Sequence, residues 1–161
     1  MKHRPIVGVM GGGTVPQRVY DMAFELGERI AEQGWILLNG GRDAGVMRAS
    51  SEGAASKGGL TIGILPDGDK SGANPFVQLP IVTNMADARN LINVLSSDVV
   101  FACEGGPGTL SEVALALKNN KPVIQVGFDF IRAIPKKGQI WTVDSPTEAI
   151  HIAQTLLNPT D

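Results

Sequence analysis

The chain has 161 residues, 43% of them hydrophobic and 19% charged, enough for one domain with a continuous apolar core and too few for a second. Its 14 Lys and Arg against 16 Asp and Glu leave a formal charge of −2, which argues against nucleic acid or an acidic membrane as partner and leaves any anion to a local site. A single cysteine, Cys103, excludes an internal disulfide framework, and the opening MKHRP carries no signal-peptide pattern, so a reducing, cytoplasmic location is expected.

In chain order, Ile6 to Met10 reads as a strand, and the glycine loop Gly11, Gly12, Gly13 and Thr14 leads into an amphipathic helix over Gln17 to Gln33. Trp35 to Asn39 is the second strand, ending at Gly40 and Gly41, and Val46 to Lys57 the second helix. Leu60 to Leu65 is the third strand, and Pro66 to Gln78 (PDGDKSGANPFVQ) is a loop rich in turn formers. A fourth strand over Leu79 to Thr83 precedes a helix over Asp87 to Ser96. A fifth, Val99 to Cys103, runs into EGGPGTLSE (Glu104 to Glu112) and a helix over Leu110 to Asn119. Pro122 to Val126 and Ile140 to Val143 follow, separated by Gly127 to Gln139 with room for one short helical turn, and Pro146 to Leu157 closes the series. No apolar stretch approaches the ~20 residues of a membrane helix. Most strand candidates are apolar on both faces, as buried parallel strands are. Their alternation with helices predicts an α/β fold: a Rossmann-like, doubly wound, mainly parallel sheet of about seven strands with helices on both faces, one domain over residues 1–161.

Ligands of such sheets bind outside the carboxyl ends of the strands, and there the glycines gather. Their number, 20 in the chain, exceeds the usual ~7%. Gly105, Gly106 and Gly108 around Pro107 allow a tight turn with inward amides, and Thr109 can offer a hydroxyl to an anion. Thr109 and Glu112 also have the T-x-x-E spacing of a capping box. Ser145, Pro146, Thr147 and Glu148 repeat that pattern without preceding glycines and read as purely structural. In the first loop, Thr14 and Gln17 can cap the helix while Gly11 to Gly13 present donors. The loop lacks G-x-G-x-x-G, the second strand ends at Asn39 rather than an acid, and no G-x-x-x-x-G-K-[ST] occurs, which disfavours a nicotinamide dehydrogenase or P-loop hydrolase.

Arg89 stands near the start of its helix, where a cation opposes the helix dipole. It either pairs with Asp87 or Glu112 at the surface or points into the crevice and holds an anion. Arg42 and Asp43 form a second charged pair at the same edge with the same two readings. Cys103 reads as a small buried hydrophobe. His3 and His151 are far apart with no metal-ligand spacing, and Ser50 and Ser111 lack a nearby base, so neither a protein-built metal centre nor a nucleophile is indicated.

NGGRDAGVM (Asn39 to Met47), TIGILP (Thr61 to Pro66), Arg89 in ADARN and GGPGTLSE (Gly105 to Glu112) together resemble the Rossmann-like LOG superfamily, formerly called lysine decarboxylase-like, over nearly the whole chain. The resemblance implies one of two functions: phosphoribohydrolases release a base from a nucleoside 5′-monophosphate, and molybdenum cofactor carriers bind and protect that pterin. In the hydrolase branch Arg89 and Glu112 would be catalytic, and Gly105, Gly106, Gly108 and Thr109 would hold the phosphate. Glu104 stands where hydrolases usually have Pro, Ser111 where they have a first acid, and Arg42 where they tend to have Gly, so the chain is closer to the carrier branch. A non-catalytic carrier is therefore expected, holding a small phosphorylated ligand, the molybdenum cofactor before a nucleotide. Its contacts would be Gly11, Gly12, Gly13, Thr14, Gly40, Gly41, Arg89, Gly105, Gly106, Pro107, Gly108, Thr109 and Glu112. Both branches imply a homo-oligomer, dimer or tetramer, and the carrier branch implies exchange with cofactor-dependent enzymes.

Overall fold

The computed structural model describes residues 3–131 and 139–158. Its strands are β1 (Ile6–Met10), β2 (Ile36–Asn39), β3 (Thr61–Leu65), β4 (Leu79–Val82), β5 (Val99–Ala102), β6 (Val123–Val126) and β7 (Ile140–Val143). The helices are α1 (Gln17–Glu32), α2 (Gly45–Ser56), α3 (Arg89–Leu95), α4 (Pro107–Lys118) and α5 (Pro146–Leu157), with a 3-10 turn at Ala86–Ala88 leading into α3. All seven strands pair in parallel in the order β4-β3-β2-β1-β5-β6-β7. The expected doubly wound α/β sheet is present, with most element ends within a residue or two of their sequence positions. The helical turn expected within Gly127 to Gln139 falls largely on residues 132–138, outside those described.

Strand residues alternate between two apolar layers, as the two-residue side-chain period requires. Val7, Val9, Val99, Phe101 and Ile124 face Val19, Leu26, Ala49, Ile150 and other residues of α1, α2 and α5. Met10, Leu38, Val100 and Ala102 face Val94 of α3 and Val113 and Ala116 of α4. Helices α1 and α2 cross at near-backbone contact: a Cβ at Gly27 would lie 2.1 Å from the Ser50 carbonyl oxygen, and one at Gly53 2.0 Å from that of Phe24. The outer edge of the sheet, β4, is largely exposed and contains Pro80, which cannot donate to a further strand. Among the described residues, no helix is long and apolar enough to cross a membrane.

Strand β1 lies between β2 and β5. The chain winds outward from it in both directions, so the crossovers diverge at the carboxyl ends of β1 and β5 and leave a crevice there.

Candidate functional site

A cavity of about 260 Å³ occupies that crevice, with Gly11 to Gly13, Gly40, Arg89, Gly106, Pro107, Gly108, Thr109 and Glu112 in its wall. Thr14, Gly41 and Gly105, expected to contribute, do not line it. Thr14 is exposed beyond the rim. Gly41 is the bend after β2, with φ +75°. Gly105 packs against the first turn of α4 and the loop after β1, where a Cβ would meet Thr109 Oγ1 at 2.2 Å and the Gly12 amide nitrogen at 2.7 Å. Gly106 and Gly108 have open space where a side chain would be.

Proline at the first helical position starts α4 at Pro107, with Gly106 as its N-cap. Thr109 therefore stands inside the first turn, and the Thr109–Glu112 capping box is not formed. No side chain caps this helix, so its first-turn amides, including those of Gly108 and Thr109, are available at the positive end of the dipole. Helices α1 and α2 also begin without a side-chain cap. The Thr14 and Gln17 cap expected for α1 is absent: its N-cap is Pro16, and Gln17 donates to Asp21 instead. In α5, which starts beside β7 away from the crevice, Ser145 Oγ accepts from the Glu148 amide at 3.3 Å and Glu148 Oε2 from the Asp144 amide. That helix is capped as expected.

Arg89 forms no ion pair with Asp87 or Glu112 and lines the crevice, with its main bonds made to backbone. It is 9% exposed, and its Nη1 donates to the carbonyl oxygens of Gly40 and Ile64, clamping the ends of β2 and β3 from within the wall. Its Nε is buried with no protein partner. Gly40 makes the insertion feasible, since a Cβ there would lie 2.5 Å from Nη1. Burial lowers the Arg89 pKa, opposed by the negative charge of Glu112 and reinforced by the positive charge of Arg42.

Glu112 is 7% exposed, and its Oε1 accepts from Asn93 Nδ2 at 2.9 Å. Burial pushes its pKa up to about 7, although the Asn93 hydrogen bond and the Arg89 charge pull it down. Near neutral pH this carboxyl exchanges a proton inside the cavity, a property suited to acid–base work.

Other charged residues go elsewhere. Glu104 is ion-paired with Arg18 of α1, so it adds no free charge to the cavity. Arg42 and Asp43 are not partners: Arg42 reaches Asp67 at 3.2 Å, and Asp43 pairs with Arg48. Ser111 donates to the Gly108 carbonyl and accepts from Asn90 Nδ2. Cys103 is fully buried, and burial pushes its thiol up to about 12, which makes it an inert core group. Among the described residues, no group of three or more His, Cys, Asp or Glu could hold a metal ion.

Asp87, Asn90 and Met47 also line the cavity, and Asn93 holds Glu112 from behind. None of the four was among the contacts expected from the sequence. The available signal was Asn90 and Asn93, two polar residues three apart on the buried face of a short helix, a placement that needs partners.

Comparison with known proteins supplies relatives for this arrangement. Residues 4–151 match the model of the SLOG cluster4 family. The molybdenum cofactor binding protein of Rippkaea orientalis is 46% identical and superposes with a TM-score of 0.94 over 98% of this chain and 100% of that one. The molybdenum cofactor carrier protein of Chlamydomonas reinhardtii is 42% identical, with a TM-score of 0.87 over 96% and 99% of the two chains. Cytokinin riboside 5′-monophosphate phosphoribohydrolase of Mycobacterium tuberculosis is 32% identical over 70% of this chain and 67% of its own length.

Proposed function

The chain belongs to the SLOG cluster4 family, and on that basis we propose that residues 1–161 form one unit that carries the molybdenum cofactor in the cytoplasm. The observation that carries this is the uncapped start of α4, where Gly106 and Gly108 leave open space before the amides of Gly108 and Thr109. That arrangement is a seat for a terminal phosphate. Its likeness over nearly the full chain to the Rippkaea and Chlamydomonas proteins supports the cofactor as cargo. Arg89 is a structural clamp in this scheme, Gly41 and Gly105 support the wall without touching the ligand, and Thr14 lies beyond the rim.

The test is retention of the purified cofactor after gel filtration. Wild-type protein holds it, and Thr109→Ala, which removes one hydroxyl from the phosphate seat, weakens binding about tenfold with an unchanged melting temperature. Failure of the wild type to retain the cofactor would overturn the proposal.

A second function, hydrolysis of a nucleoside 5′-monophosphate, is favoured by one specific observation, the Glu112 carboxyl with a pKa of about 7 in the cavity wall. It is also supported by the resemblance to the Mycobacterium enzyme. Chromatography of AMP incubated with the protein decides between them. A carrier releases no adenine above the Glu112→Ala background, whereas Glu112-dependent release identifies a hydrolase.

The proposal includes a homo-oligomer formed through the outer side of α3 and α4. Leu91 and Leu95, four apart on α3, are 39% and 48% exposed, and Leu110 of α4 is 43% exposed. Helix α3 has no exposed charged residue, and a neutral apolar stripe of this kind is self-complementary about a two-fold axis. Light scattering should give a multiple of the chain mass for the wild type and the single-chain mass for Leu91→Glu/Leu95→Glu. A monomeric wild type would remove this part. Exchange of the cofactor with cofactor-dependent enzymes is also part of the proposal.

A further inference from the structure

The cavity at the glycine loops is small for the ligand class assigned to it. Its volume of about 260 Å³ falls below the roughly 300–1,000 Å³ usual for small-molecule sites, and a phosphorylated side chain fills much of it before any fused heterocycle enters. A second cavity of about 350 Å³ adjoins it, walled by Arg42, Pro66, Asp67, Gly68, Asn84 and Ala86. Asp87 and Arg89 belong to the walls of both cavities.

Two features set the second cavity apart from an incidental surface dip. Its wall includes two non-glycine residues in the left-handed region, Asn84 at φ +52° and Ala86 at φ +46°. For alanine that conformation is strained, and such strain persists where surrounding structure enforces it. Here the enforcement comes from the Asn84 amide bonding the Asp67 carbonyl at 3.0 Å and the Ala86 amide bonding the Pro66 carbonyl at 3.1 Å. The strained turn also places Asp87 at the junction. Of the two carboxylates here, Asp67 is paired with Arg42 at 3.2 Å, while Asp87 has no ion-pair or side-chain hydrogen-bond partner among the described residues.

Building on the carrier function proposed above, we propose that the ligand runs from the phosphate seat past Arg89 into the second cavity, where the Asp87 carboxylate accepts two hydrogen bonds from the amino group and adjacent ring N–H of a 2-amino-oxo-pyrimidine edge. A pterin carries that edge, and so does guanine, whereas adenine lacks it. Two parallel N–H donors match the two oxygens of one carboxylate, and the charge-assisted pair is both strong and directional. Arg89 forms the floor between the two subsites.

GMP and AMP serve as probes, because they share ribose and phosphate and differ in the base edge. In calorimetric titrations GMP binds at least about tenfold more tightly than AMP. Asp87→Asn, which replaces one acceptor by a donor, abolishes the preference for GMP over AMP and leaves the melting temperature unchanged. Thr109→Ala weakens both nucleotides alike. Equal binding of the two nucleotides, no binding of either, or a GMP preference that survives Asp87→Asn overturns the subsite. Retention of the molybdenum cofactor with equal GMP and AMP binding removes the subsite and leaves the carrier function standing. A GMP preference that depends on Asp87, without cofactor retention, removes the carrier function and leaves the subsite.

Discussion

Arg89→Ala lowers the unfolding free energy by about 3 kcal/mol, and the melting temperature by roughly 10 °C, even with no ligand present. The carbonyl oxygens of Gly40 and Ile64, where the chain leaves β2 and at the end of β3, accept from Arg89 Nη1. Removing the side chain leaves two polar groups short of a donor in a buried place and opens a void between the strands and α3. Lysine is a poor substitute, because a single ammonium on a flexible stem does not reproduce the planar fork. Gly40→Ala should cause a defect of the same kind, because its Cβ would lie 2.5 Å from Nη1. The double variant should then lose clearly less than the two single losses added, because both changes remove the same clamp. Urea unfolding of the four proteins measures this. A loss below ~1 kcal/mol for Arg89→Ala would mean that water replaces the guanidinium and that Arg89 is free to serve a ligand.

The second large effect is that Glu112→Gln stabilises the protein above neutral pH. In the folded state this carboxyl titrates at about 7 against an ordinary value of 4.5, with burial as the main cause. Between those two values the folded protein holds a proton that the unfolded chain has released. Stability contributed by the protonated group is therefore present below the unfolded pKa and is lost as pH rises toward and through 7. The loss amounts to roughly 3 kcal/mol by pH 8. Glutamine removes the titration, and its carbonyl oxygen can still accept from Asn93. The variant should match the wild type near pH 5 and exceed it by about 2–3 kcal/mol at pH 8, measured as unfolding free energies at the two values. Parallel pH profiles for the two proteins would show that Glu112 is not perturbed. A buried acid that costs stability at neutral pH is a common feature of functional sites. In a carrier the protonated form has a direct use, since it avoids repulsion with an anionic ligand.

How legible this molecule is from sequence varies with the kind of interaction. The strands were readable because parallel strands covered on both faces need continuous apolar runs, and Val99 to Ala102 could hardly be anything else. The α5 cap was readable because Ser145, Pro146 and Glu148 act on one another within a single turn. The same reasoning went astray at Thr109. Pro107 is as good a first helical residue as Pro146, yet the T-x-x-E spacing drew the helix start three residues too late. Glu104 and Arg42 were legible as charges but not as ion pairs. Their partners, Arg18 and Asp67, stand 86 and 25 residues away in sequence.

Sequence alone determined the α/β fold, the position of the glycine loops at the carboxyl ends of β1, β2 and β5, and the family, because each follows from local periodicity or from a contiguous motif. Tertiary structure alone decided which glycines are open to a ligand and which are filled by neighbours, that Arg89 clamps two strands, and that Glu112 is raised to about 7. It also decided that Asp87 is shared between two cavities. Those properties depend on burial and on groups brought together from distant parts of the chain, and neither is encoded in the spacing of neighbouring residues.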